Sequence, residues 1–164
     1  MFKRERYGLQ FEYPVEWTLK EKTSTFDDGR YITVRSPNLR TMFGFDILDA
    51  SSLFGTSDIE DVAETIIPIL ESSFFKFDVL TIEEPHIVTI DNKTATTAII
   101  NTVERYNNDN PLKIADQQWV VIIDNDAYLI SLIDSPPDDF DGHSHMLIRD
   151  KFIKSIKFLE YSSI

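Results

Sequence analysis

The chain has 164 residues, enough for one domain with a sizeable core, and its 42% apolar and 12% aromatic content excludes a disordered polymer. With 28 acidic residues against 16 basic, the formal charge of −12 has the wrong sign for phosphate backbones and anionic lipid surfaces, so neither nucleic-acid binding nor membrane insertion is expected. The absence of cysteine removes disulfides, thiolate metal sites and cysteine nucleophiles together.

The opening MFKRERYGLQFEYP has no apolar leader core and no cleavage site, and no run is long enough to span a bilayer. A cytoplasmic protein is expected if Met1 is native, and an extracytoplasmic one if a leader has been removed. Strand signals then recur in chain order. Tyr7 to Tyr13 alternates polar and apolar residues until Pro14 stops it, and Trp17 to Lys22 reads as a second strand. The hairpin-type turn FDDGR, Phe26 to Arg30, leads into Tyr31 to Arg35. Met42 to Asp49 alternates again, with Phe43, Phe45 and Ile47 on one face.

From Ser57 the period changes. Ile59, Val62, Ala63, Ile66, Ile67, Leu70 and Phe74 recur at helical spacing, and Ser57 with Glu60 forms an S-x-x-E capping box. Pro68 lies inside this pattern and is expected to kink the helix or end its regular part. Four further strands follow. Leu80 to Ile90 carries Pro85 and should bulge there or lie on an edge. Thr94 to Glu104, Lys113 to Asp124 and Ala127 to Asp134 complete the set, with the polar loop RYNNDNP between the first two. The turns IDNK at Ile90 and IDND at Ile123 place Asp-Asn between apolar arms, the chemistry that positive-φ hairpin turns favour. A helix from about Phe140 to Ser155 closes the chain, with a core stripe at Ile148, Phe152, Ile153 and Ile156.

The order ββββ-α-ββββ-α, joined mostly by hairpins, predicts a single α+β domain over residues 1–164. Its sheet is mainly antiparallel and flanked by helices on its faces as an α/β/α sandwich. The five glycines form no G-x-G-x-x-G, so no phosphate-cradling loop is expected. The expected aromatic core is Phe11, Tyr13, Trp17, Phe43, Phe45, Trp119 and Phe152.

Three stretches carry a resemblance. YGLQFEYPVEW at residues 7–17, AYLISLIDSPPDDF at 127–140 and FIKSIKF at 152–158 resemble the first strand, the last strand and the closing helix of PsbP-like domains, the PsbP/Mog-like fold. The element order matches over almost the whole chain, and the Ile-, Asn- and Asp-rich style points to a prokaryotic or archaeal member. The resemblance implies a non-enzymatic domain that docks on another protein, and no functional residue can be transferred through it.

The densest chemistry is SPPDDFDGHSH, residues 135–145. A metal reading would use His143, His145 and Asp141, since imidazole and carboxylate suit zinc or manganese. On a helix, however, positions two apart lie about 200° apart around the axis. A calcium loop fails as well, because its first and twelfth positions would be Pro137 and Ile148. Prolines ending a strand and aspartates meeting a helix dipole explain the segment more simply. No cofactor is therefore expected, and a divalent ion found there would be adventitious.

His86 stands in a strand, far in sequence from any nucleophile–base pattern, and no serine sits in G-x-S-x-G, so no catalytic residues are assigned. Two features suit a protein partner. Arg149 and Lys154 on the last helix, with Lys151, Lys157 and the basic N-terminus, could form a basic strip on an acidic molecule. Leu53 and Phe54 fall in ASSLFGTS, either an exposed docking tip or a loop tucked into the core. The leading expectation is a docking or scaffold domain. The alternatives are a small-molecule or metal-binding module, using residues 138–145 or a gap between sheet and helix, and a hydrolase whose acids converge with His86.

Overall fold

The computed structural model describes residues 2–4, 7–23, 30–73, 77–104, 113–134 and 143–159. The expected turn at 26–29, the loop at 105–111, Phe74 and the acidic segment at 135–142 lie outside these residues.

Seven strands make one sheet in the order β3-β4-β5-β9-β8-β7-β6: Thr18–Thr23 (β3), Arg30–Arg35 (β4), Thr41–Asp49 (β5), Phe77–Ile90 (β6), Lys93–Glu104 (β7), Lys113–Ile123 (β8) and Asp126–Asp134 (β9). Each described pairing is antiparallel. The alternation seen in the sequence gives the sheet two apolar faces. Ile32, Val34, Phe43, Phe45, Trp119, Val121, Tyr128 and Ile130 share one core, and Ala98, Val120, Ala127 and Leu129 belong to the other.

The first core is closed by helix α3, His143–Ser155, through Phe152 and through Ile156 just beyond it. Phe152 stacks on Phe43 with ring centroids 3.9 Å apart and meets Phe11 edge-on at 5.5 Å. The second core is closed by α2, Ile59–Ser73, through Val62 and Ile66, and by the short α1, Ala50–Phe54. Helices on both faces of an antiparallel sheet are the sandwich that the element order predicts.

Three local expectations are corrected. Residues 7–13 do not join the main sheet. Leu9–Phe11 (β2) is the centre of a separate three-stranded sheet with Phe2–Arg4 (β1) and Lys157–Phe158 (β10), so the two ends of the chain meet there. Alternation identifies a strand but not its partner, which is why the sequence could not separate the two sheets. Gly8 enters β2 at φ 63°, a conformation that glycine adopts without the Cβ clash.

The cap of α2 is Asp58, not Ser57. The Glu60 amide donates to Asp58 Oδ1 at 2.9 Å and the Val62 amide to the Asp58 carbonyl at 3.1 Å. The helix also runs past Pro68 to Ser73. Pro68 is exposed, so the carbonyl that loses its helical donor lies on the water side. Finally, Leu53 and Phe54 are in α1 rather than a loop.

Pro85 behaves as its chemistry requires. β6 is an edge strand, and between Glu83 and His86 it takes three steps against two on β7. The IDNK turn has Asp91 and Asn92 at φ 48° and 62°, and the IDND turn has Asp124 at 57°. These are the left-handed conformations expected of Asp-Asn.

Candidate functional site

Where α3 crosses the β6–β7–β8 end of the sheet, packing leaves a groove of about 450 Å³. Its floor comes from strand positions facing α3: Val88 and Ile90 of β6, Thr97 and Ile99 of β7, and Gln117 and Trp119 of β8. Trp119 is 5% exposed and seals the base. The far wall is α3, contributing Arg149, Asp150, Ile153 and Lys154. His86 lies on the open side and is itself exposed.

The β6 bulge decides that last placement. Without the extra residue, the β6 position opposite Thr97 would be Pro85; with it, His86 is opposite Thr97. A polar chain then ties floor to wall. The Thr97 hydroxyl donates to the Gln118 carbonyl at 2.7 Å, and Gln117 Nε2 donates to Thr97 Oγ1 at 3.2 Å. Arg149 Nη1 donates to Gln117 Oε1 at 3.4 Å, and its Nε pairs with Asp150 Oδ1 at 3.2 Å. The guanidinium is thus held over the groove by two neighbours, with donors to spare for a ligand. Lys154 adds a second cation in the last turn of α3, where it also complements the helix dipole.

Of the residues singled out in the sequence, Arg149, Lys154 and His86 converge in this groove. Leu53 and Phe54 do not. Phe54 is buried in the second core and Leu53 packs against it, on the opposite face of the sheet, so they form no exposed tip. His143 and His145 occupy the first turn of α3, and Asp141 lies outside the described residues. Among the described residues, no group of three or more His, Asp or Glu is placed to hold a metal ion. No helix among them is long and apolar enough to cross a membrane.

Thr97, Gln117 and Asp150 drew no notice in the sequence, because a polar residue in an alternating strand or on an exposed helix turn looks like ordinary surface. Pro85 was the usable signal, since a bulge shifts every following side chain.

The basic ends of the chain are brought together as well. Lys3 and Lys157 are in register on either side of Gln10 in the small sheet. Lys157 is nonetheless engaged: its Nζ lies 3.1 Å from Asp91 Oδ1, while the Phe158 amide donates to Asp91 Oδ2 at 2.8 Å.

No family model matches the sequence, and no curated protein matches it. Solved structures do. Cyanobacterial PsbP (CyanoP) from Synechocystis superposes with a TM-score of 0.61 at 13% identity, covering 96% of this chain and 90% of that one. LpqN of Mycobacterium tuberculosis, described as involved in cell envelope biogenesis, gives 0.47 at 12% identity over 93% and 83%. A Bacteroides thetaiotaomicron protein gives 0.47 at 12% identity over 94% and 46%. The first of these establishes that the chain has a PsbP-like α+β fold.

Proposed function

We propose that this domain works by binding rather than catalysis, and that the groove beneath α3 receives an acidic segment of a partner protein. A fold shared at 13% identity gives an architecture and no role, so the reading stands on the groove. The observation that carries it is the Arg149 guanidinium, clamped by Gln117 and Asp150 above an apolar floor sealed by Trp119. A preorganised cation beside buried aromatic surface is the composition of an interface anchor. The rest of the molecule is strongly acidic, so the basic groove directs an acidic segment to itself.

The experiment compares three forms of the full chain as bait in crosslinked extracts of the source organism: wild type, R149E/K154E and K151E. Lys151 is exposed on the same helix but lines a different hollow, beside Tyr13 and Phe152, so K151E controls for charge alone. A partner held by wild type and K151E and reduced about tenfold or more by R149E/K154E is expected. Equal retention by all three baits sinks the reading. So does turnover of a substrate that depends on His86.

A further inference from the structure

The opposite face of the sheet carries a second hollow, unconnected with α3. Among the described residues, helices α1 and α2 pack on that face from β5 to β9, and no helix is packed extensively on its β3–β4 end. There Thr18 and Lys20 of β3 and Tyr31, Thr33 and Arg35 of β4 line a hollow of about 380 Å³, closed at one end by Ser36, Pro37 and Leu39. In a chain with 28 acids and 16 bases, these eight lining residues include two cations and no carboxylate. Four of them also carry hydroxyl groups.

Among the described residues, neither cation is neutralised by a carboxylate. Arg35 donates from Nη2 to the Met42 thioether at 3.6 Å, a weak acceptor, and the described residues place no carboxylate in an ion pair with Arg35 or Lys20. Among the described residues, Asp46 stands in register with Tyr31 across β4–β5. Burial first, and then Asp46, push the Tyr31 hydroxyl above the usual tyrosine range, and Arg35 opposes them. Tyr31 therefore stays a protonated donor throughout the physiological range.

The closing loop is held in an unusual shape. Leu39 has φ 62°, which a branched side chain rarely adopts, and it is 70% exposed. Hydrogen bonds within the loop fix it there. The Ser36 amide donates to the Thr41 carbonyl and the Leu39 amide to the Ser36 carbonyl. The Thr41 amide donates to Ser36 Oγ, and Ser36 Oγ donates to Asn38 Oδ1. A left-handed, solvent-facing leucine maintained by its surroundings is the kind of outlier that marks a ligand clamp.

We infer that this hollow binds a small organic anion, its carboxylate or phosphate head met by Arg35 and Lys20 and its compact apolar body lying between Tyr31 and Leu39. The site is independent of the α3 groove. The volume is within the range of small-molecule sites. Bidentate geometry assigns Arg35 the head group, with Lys20 as a second point charge.

The test is an NMR titration of the full chain with phenylacetate and with phenyl phosphate, each beside neutral phenylacetamide. Saturable shifts at the amides of residues 18–20 and 31–39 are expected with at least one anion and not with the amide. K20Q/R35Q should weaken that binding about tenfold or more, since both charge-assisted contacts are lost. L39G relaxes the loop and removes the apolar lid; it should weaken phenylacetate while leaving the melting midpoint near wild type. Preference for one anion identifies the head group. Absence of saturable shifts with both anions overturns the assignment, as does equal binding by K20Q/R35Q or by phenylacetamide, or shifts centred on α3.

Discussion

Two side chains report how burial acts on single residues. Tyr31 has its hydroxyl pKa raised chiefly by desolvation, with Asp46 adding to it and Arg35 opposing. A raised acid binds its proton more tightly in the folded state than in the unfolded one. Its contribution is therefore intact below the ordinary tyrosine value of about 10 and is lost as pH rises through that value toward the folded pKa. Urea midpoints of wild type and Y31F, measured at neutral pH and again at strongly alkaline pH, should show a smaller alkaline loss in Y31F. Equal losses would mean that Tyr31 ionises as it does in the unfolded chain. Trp119 is the larger case. It is 5% exposed and forms both core and groove floor, so Trp119→Ala should cost about 3–5 kcal/mol in a denaturation experiment. An unchanged midpoint would contradict that burial.

At the scale of elements, the two Asp-Asn turns do more than reverse the chain. In the first, Asp91 reaches across to β10, accepting from the Phe158 amide and from Lys157. In the second, Asn125 grips the start of α1. Its carbonyl accepts from the Ala50 amide at 2.8 Å, its Oδ1 accepts from Ser51 Oγ at 2.7 Å, and its Nδ2 donates to Asp49. Asp49 in turn caps α1 by accepting from the Ser52 amide. In the first turn Asp91 combines the left-handed backbone with the reach, whereas in the second Asp124 takes the left-handed backbone and its neighbour Asn125 supplies the reach. Asp91→Ala should therefore cost about 1–3 kcal/mol, mostly by leaving the half-buried Phe158 amide without its acceptor. Asp91→Asn keeps an acceptor oxygen and a turn-tolerant backbone, and should cost less. Denaturant midpoints of the two variants test the order, and the reverse order would show that the turn conformation, not the contact to β10, carries the stability.

Across the whole molecule, charge is distributed unevenly. A net −12 surface encloses one groove with Arg149 and Lys154 and one hollow with Lys20 and Arg35. Association of an acidic partner with the α3 groove should weaken steeply with salt, because exposed charges beyond about 10 Å are screened at 0.1 M ionic strength. Retention by the wild-type bait measured along a salt series checks this, and salt-independent retention would point to the apolar floor alone.

Strands β2 to β9, their antiparallel sense, the two principal helices and most of the aromatic core were legible in the sequence, because each rests on local periodicity and on turn residues with fixed backbone preferences; the short β1 and β10 were not, and Tyr13 and Trp17 are only partly buried. Pro85 and the Asp-Asn pairs announced their bulge and turns for the same reason. Partnership was not legible. Nothing local tells Leu9–Phe11 to leave the main sheet for the chain's two ends, or assigns the cap of α2 to Asp58 when Ser57 is adjacent. Nor does sequence spacing bring His86 within the same groove as Arg149, 63 positions later. Those outcomes depend on which surfaces close against one another, and that is settled only when the sheet, with its extra residue in β6, is packed beneath α3.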